Sequence, residues 1–189
     1  MALLHKATVI PSKLELLQAW APKQPWFEGN AAGPFVQVGH FRLDDPAGEV
    51  GVETLLVRAA DGPVIQYPLT YRDAPLPGGE DSFIGNTEHS VLGTRWVYDG
   101  PGDPVYVATT TAAIRDGGHE AQMWIELDGV MTQRVPTATV IGSGADAIAG
   151  ELELVRLPGT VWDEDGYATL SGTWTDHPER TVLARIRSA

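Results

Sequence analysis

An α+β fold rich in strand is predicted by three features of this sequence. A short amphipathic segment opens on a helix cap at Ser12. Three strand-like runs follow it with no helix between them, at 35–43, 50–59 and 64–72. After a second capped helix at 103–115, the pattern is strand-like to the end.

Each element has a local reason. Met1 to Ile10 reads as a first strand anchored by Leu3, Leu4, Val9 and Ile10, and Pro11 stops it. Ser12-Lys13-Leu14-Glu15 fits a capping box, in which the serine caps the third helical N–H and the glutamate reaches back. Leu14, Leu17 and Ala21 share a helical face with Trp20 beside it, and Pro22 ends the helix. Pro25-Trp26-Phe27-Glu28-Gly29 is an aromatic loop, read as a plug beneath a sheet.

In the run 35–43, Phe35, Gln37, Gly39, Phe41 and Leu43 alternate onto one face. Asp44 to Gly48 is a turn, and the paired carboxylates Asp44-Asp45 before Pro46 belong to its chemistry. Asp61-Gly62 predicts a type I′ hairpin with positive φ at both residues. In 64–72, Tyr67, Leu69 and Tyr71 share a face. Pro68 offers no ladder donor, which places this strand at an edge or a bulge; an exposed edge there would permit a homodimer.

Asp73 to Gly85 reads as a Pro- and Gly-rich loop, and 94–98 as a short strand. Asp103-Pro104 is a helix start, with Asp as N-cap and Pro at the first helical position. The helix runs to Arg115, where Gly117-Gly118 stops it. Its threonine-rich middle, 109–111, has weak propensity, so packing must hold it. Strands are expected at 122–127, 135–141, 150–157, 168–174 and 181–187, with a flexible loop at Ser143-Gly144-Ala145-Asp146. A boundary near 116–120 divides a first domain, 1–116, from a smaller β-rich subdomain, 117–189.

Composition narrows the function. The chain has 189 residues, enough for one large domain or two small ones with a core that needs no staple. Its net charge of −12 repels phosphates, so neither nucleic acid nor an anionic membrane is expected as a partner. With no cysteine, disulfides, thiol catalysis and zinc–thiolate sites are excluded. The N-terminal apolar run Ala2 to Leu4 is too short for a signal peptide before His5 and Lys6, and a cytoplasmic protein is expected.

Catalytic motifs are missing. There is no G-x-x-x-x-G-K-[ST] loop and no G-x-S-x-G elbow, and Gly142-Ser143-Gly144 lacks the rest of a dinucleotide fingerprint. His5, His40, His89, His119 and His177 show no metal-ligand spacing, so no metal or cofactor is expected. The acidic run Trp162-Asp163-Glu164-Asp165 reads as a solvated hairpin tip. Six tryptophans are many for this length and are assigned mainly to the core.

The string 84–100, Ile84-Gly85-Asn86-Thr87-Glu88-His89-Ser90-Val91-Leu92-Gly93-Thr94-Arg95-Trp96-Val97-Tyr98-Asp99-Gly100, precedes Asp103-Pro104-Val105. Together with Leu14-Glu15-Leu16-Leu17, the loop 25–29 and the segment 41–51, it resembles the N-terminal cap region of actinobacterial maltokinases. It is more similar still to small stand-alone proteins with a maltokinase cap-like domain. The resemblance spans about 1–116, and the C-terminal third matches those proteins only loosely.

This resemblance implies a cystatin- or monellin-like curved antiparallel sheet wrapped around a helix. In the full kinase, the catalytic and metal-binding residues sit in a later helical lobe. Here there is no H-x-D-x-x-x-x-N loop and no D-F-G-like motif, and no kinase active-site residue carries over.

The expected function is a non-catalytic accessory or regulatory module of α-glucan, maltose or trehalose metabolism, with a sugar kinase or glucan enzyme as partner in trans. The alternative is a small-ligand protein for a sugar or sugar phosphate, with Glu88, His89, Arg95, Trp96 and Asp99 as candidate site residues. An open aromatic-lined concavity favours the ligand, and a filled sheet favours the module.

Overall fold

A computed structural model describes residues 2–4, 7–30, 32–127, 130–145, 147, 149–160 and 165–188. His5, Lys6, Asp146 and the run 162–164 lie outside the described residues. In chain order the elements begin with β1 (Ala2–Leu4), β2 (Val9–Ile10), α1 (Lys13–Trp20), β3 (Phe35–Leu43), β4 (Gly51–Ala59) and β5 (Val64–Arg72). They continue with β6 (Phe83–His89), β7 (Gly93–Asp99), α2 (Pro104–Arg115), β8 (Met123–Leu127), β9 (Val130–Arg134) and β10 (Ala138–Gly142). The last three are β11 (Glu153–Leu154), β12 (Tyr167–Trp174) and β13 (His177–Arg187).

The strands form three sheets. Six pair antiparallel in the order β2-β6-β7-β5-β4-β3. Four follow the order β10-β12-β13-β11. In the third, β1 runs parallel to β8, which pairs antiparallel with β9. The mixed α+β class is therefore present, with strand dominant. The first ten residues supply two short strands in two different sheets rather than one strand.

The cap signals at both helices act as expected. The Ser12 hydroxyl accepts from the Glu15 N–H, and the Ser12 N–H donates to Glu15 Oε2 at 2.7 Å. Such a box is worth about 1 kcal/mol. Asp103 accepts the Val105 N–H at 2.9 Å, with Pro104 behind it in the first turn. The weak threonine stretch is held by packing, since Tyr106, Thr109, Thr110 and Ile114 are buried.

Both faces of the six-stranded sheet are covered. On one, Leu17 and Ala21 pack on Leu55, Val57, Ile65, Tyr67, Leu69 and Val97, with Leu14, Trp20, Trp26 and Phe27 around them. The aromatic loop is the expected plug: Trp26 meets Tyr67 edge-on at 5.8 Å, and Phe27 stacks on Phe35 at 6.0 Å. On the other face, Tyr106 and Ile114 of α2 join Val140, Leu170, Trp174, Leu183 and Ile186 of the four-stranded sheet against Phe41, Val52 and Leu56. Strand β4 is consequently buried at every position from Val52 to Val57, as in a doubly covered sheet.

Strand β3 departs from simple alternation. A bulge between Gln37 and Gly39 sends Phe35 into the core under α1, while Phe41 and Leu43 enter the core under α2. Gly39 sits where the two large sheets approach closely: a Cβ there would lie 2.8 Å from Trp174 Cβ and 3.3 Å from Ala138 Cβ.

The β4–β5 hairpin forms, but its turn differs from the type I′ expectation. Residues 60–63 form a longer loop whose left-handed residue is Ala60, at φ 51°. Gly62 serves instead for close approach, since a Cβ there would meet the Ala59 carbonyl oxygen at 3.0 Å.

Pro68 lies in an inner strand, at the point where β7 stops pairing; the β5–β7 ladder begins at Leu69. Beyond that point the edge is covered. The Gln66 N–H donates to the Arg156 carbonyl at 2.8 Å, and the Gln66 side-chain amide donates to the Val155 and Leu183 carbonyls at 2.9 and 2.8 Å. The β5 edge is thus used to join the two large sheets rather than left exposed.

Three later strands also depart from expectation. The Pro- and Gly-rich loop ends before β6, a strand in its own right; β9 occupies part of an expected connection; and the run 150–157 contributes only the two residues of β11.

Candidate functional site

The β6–β7 hairpin carries all five candidate residues, four of them on the turn-side part of the hairpin. Glu88 pairs across from Thr94 and accepts its hydroxyl at 2.8 Å. His89 closes the turn, with Nδ1 accepting the N–H groups of Val91 and Leu92 at 3.2 and 3.1 Å. Arg95 donates from Nη2 to the Leu92 carbonyl at 2.6 Å. Ser90 ties the tip to the preceding chain, its N–H donating to the Thr8 carbonyl and its hydroxyl accepting the Thr8 N–H, both at 3.0 Å. Gly93 supplies the positive φ, 73°, that the turn needs. Trp96 lies further down β7, between Asn86 and Arg72.

These bonds fold polar groups beneath the tip and leave hydrocarbon outside. Val91 is 55% exposed and Leu92 47%, and neighbouring Ile10 on β2 is 65% exposed. His89 and Arg95 therefore brace an apolar tip by its backbone, and Glu88 ties the strands beside it through Thr94. Sequence reasoning singled out the polar residues and passed over Val91 and Leu92. The available signal was an apolar pair inserted in a turn between Ser90 and Gly93.

Asp99 stands apart from them, at the far end of β7. Its Oδ2 accepts from Arg156 Nη2, and Arg156 also lies 4.1 Å over the Trp26 ring. Burial pushes the Asp99 carboxyl up against the pull of Arg156, and its Oδ1 is buried without a partner. The group serves as a clasp between the C-terminal sheet and the plug loop.

Two further buried charges are Glu53 on β4 and Asp103 at the N-cap of α2. Glu53, 3% exposed, accepts Lys13 Nζ at 2.5 Å. Burial alone would raise its carboxyl, but Lys13 and Arg42 outweigh that effect and hold it at about 2. Asp103, fully buried, accepts Thr70 Oγ1 and both Arg72 Nε and Nη2 at 2.7 Å. Burial opposes ionisation here too, and the bonds from Arg72, Thr70 and Val105 keep the carboxyl below its usual range.

Two concavities lie elsewhere. One of about 210 Å³ is lined by His119, Thr139, Ser171 and Arg180 among others. The other, of about 400 Å³, runs between Leu43, Pro46 and the α2 residues Ala112 and Ala113. None of the five candidate residues lines either one. The face of the sheet under α1 is filled by the helix and the aromatic plug. Among the described residues no three His, Asp or Glu side chains cluster as a metal site, and no helix is long and apolar enough to cross a membrane.

Residues 20–103 match the family model of the maltokinase N-terminal cap domain. No curated protein matches the chain. The matched span contains β3 to β7, including the braced tip, and stops at the N-cap of α2. Residues 20–103 of this chain are thus similar to the maltokinase N-terminal cap domain.

Proposed function

We infer that this protein is a non-catalytic accessory or regulatory module of α-glucan, maltose or trehalose metabolism that binds a sugar kinase or glucan enzyme in trans. The observation that carries the reading is the hydrogen-bonded, exposed apolar tip of the β6–β7 hairpin inside the matched cap segment. A solvent-facing Val91-Leu92 pair costs solubility and gives the fold nothing, so a protein surface that covers it accounts for it. The brace of His89 and Arg95 fixes the tip before contact and lowers the ordering cost of binding. The filled face under α1 supports a module over a ligand carrier, as does the absence of candidate residues from both concavities. A cystatin-like sheet wrapped around α1 belongs to the same reading, with α1 on the concave side.

The test is affinity purification of the tagged protein from its native cells, beside a Val91→Asp/Leu92→Asp variant. Reproducible recovery of a sugar kinase or glucan enzyme, lost in the variant, supports the reading. Sugar phosphorylation by the purified protein with ATP overturns it, as does tight binding of a sugar phosphate with no protein recovered.

A further inference from the structure

A second feature lies outside the matched cap segment, at β9. It is the outer strand of the three-stranded sheet, and all five of its residues are exposed. Val130 is 63% exposed, Met131 44%, and the next residue, Val135, 86%. Among the described residues, no hydrogen bond joins the outer side of 130–135 to another segment. An unpaired edge of this kind is a template for another strand, and folded proteins usually blunt such edges with charge or proline. Here proline appears only at Pro136, after the run, and the single charge within it is Arg134.

We propose that β9 pairs antiparallel with β9 of a second copy of this chain, about a two-fold axis at Gln133. Two arguments select a second copy. The first is charge. The chain carries −12 overall, yet 130–136 contains one arginine and no carboxylate. Two copies therefore meet at a segment where their general repulsion is locally relieved.

The second is register. An axis at Gln133 sets residues equidistant from it across from each other, so Met131 faces Val135 of the second copy and Thr132 faces its Arg134. Strand alternation puts Met131, Gln133 and Val135 on one face. That face gains two Met–Val contacts flanking a Gln–Gln pair, whose amides can donate and accept reciprocally. Arg134 never faces itself. The contact is isologous and closes at two copies. A strand pair this short covers less than the roughly 800 Å² per partner of a standard interface, so the dimer is weak and concentration-dependent.

Sedimentation of the full chain over a concentration series tests this, together with Gln133→Glu and Gln133→Lys. Gln133 is exposed, so both variants keep the wild-type circular dichroism and melting point. Wild type is expected to shift from monomer to dimer with rising concentration. Each variant places like charges across the axis and weakens the dimer by about tenfold or more. An equimolar mixture of the two restores it as a heterodimer. A wild type that remains monomeric at high micromolar concentration overturns the proposal and leaves the edge to a strand of another sequence. Variants that dimerise as wild type does overturn it as well.

Discussion

Inside the fold, Glu53 on β4 is 3% exposed and held by Lys13, and Asp103 at the α2 N-cap is fully buried and held by Arg72 and Thr70. At the β6–β7 end of the six-stranded sheet, Val91 and Leu92 stand about half exposed while His89 and Arg95 brace their backbone from below. The usual placement of charge and hydrocarbon is reversed at both places, for different reasons. Buried charge here is scaffold, because Glu53 and Asp103 are each paired with a cation within the fold. Exposed hydrocarbon at the tip stands about half in solvent, and it marks the surface to test for binding.

Removing Asp103 strikes this contrast hardest. Its carboxylate caps α2 and receives Thr70 and two nitrogens of Arg72. Asp103→Ala is expected to destabilise by about 3–5 kcal/mol, the usual cost of breaking a buried pair from one side. Urea denaturation reads it directly. A loss within about 0.5 kcal/mol of wild type would remove Asp103 from the scaffold.

Glu53 gives a pH signature next in size. Its carboxyl ionises at about 2 in the fold against an ordinary 4.5. A depressed carboxylate stabilises above the unfolded value, and that contribution disappears as pH falls from 4.5 toward 2. The shift corresponds to something on the order of 3 kcal/mol. Lys13→Met should abolish most of this dependence and lower stability at neutral pH, as followed by thermal melts between pH 2 and 7. An unaltered acid profile in the variant would show that Lys13 is not the partner that matters.

A smaller effect is expected at Gly39, where the two large sheets touch. A methyl group there meets Trp174 Cβ at 2.8 Å. Gly39→Ala is expected to cost about 1–3 kcal/mol through overpacking. Changed Trp174 emission at unchanged secondary structure would locate the strain at the sheet contact.

The sequence reveals features whose causes are local. The Ser12–Glu15 box and the Asp103-Pro104 start are read correctly because each depends on residues within one helical turn. The face shared by Tyr67, Leu69 and Tyr71 is legible because β5 has no bulge before β7 joins it. The parity of β3 is not legible, since it depends on a bulge beside Gly39, whose close contact is Trp174, a residue far along the chain. β6 is hidden because its outer neighbour is the two-residue β2, so its exposed positions, Phe83, Asn86 and Glu88, mix one aromatic with polar residues and form no apolar stripe. At the candidate site, the chemistry-bearing side chains attract attention in sequence, but their role as a brace emerges only once the turn places Val91 and Leu92 above them.

The finest test of the contrast is Val91→Asp/Leu92→Asp at the tip. If these side chains belong to the fold, removing them should cost as much as a core substitution, about 2–5 kcal/mol. If they belong to a partner, stability should stay within about 0.5 kcal/mol of wild type, because both face water and their backbone N–H groups still bond to His89. His89→Ala then separates the brace from the contact. It removes the acceptor for both N–H groups while leaving Val91 and Leu92 in place, so the tip should loosen and partner binding should weaken with little change in global unfolding. Faster amide exchange confined to 90–93 would show that loosening. A His89→Ala protein with unchanged exchange there and full partner binding would mean that the tip is held by β6–β7 pairing alone.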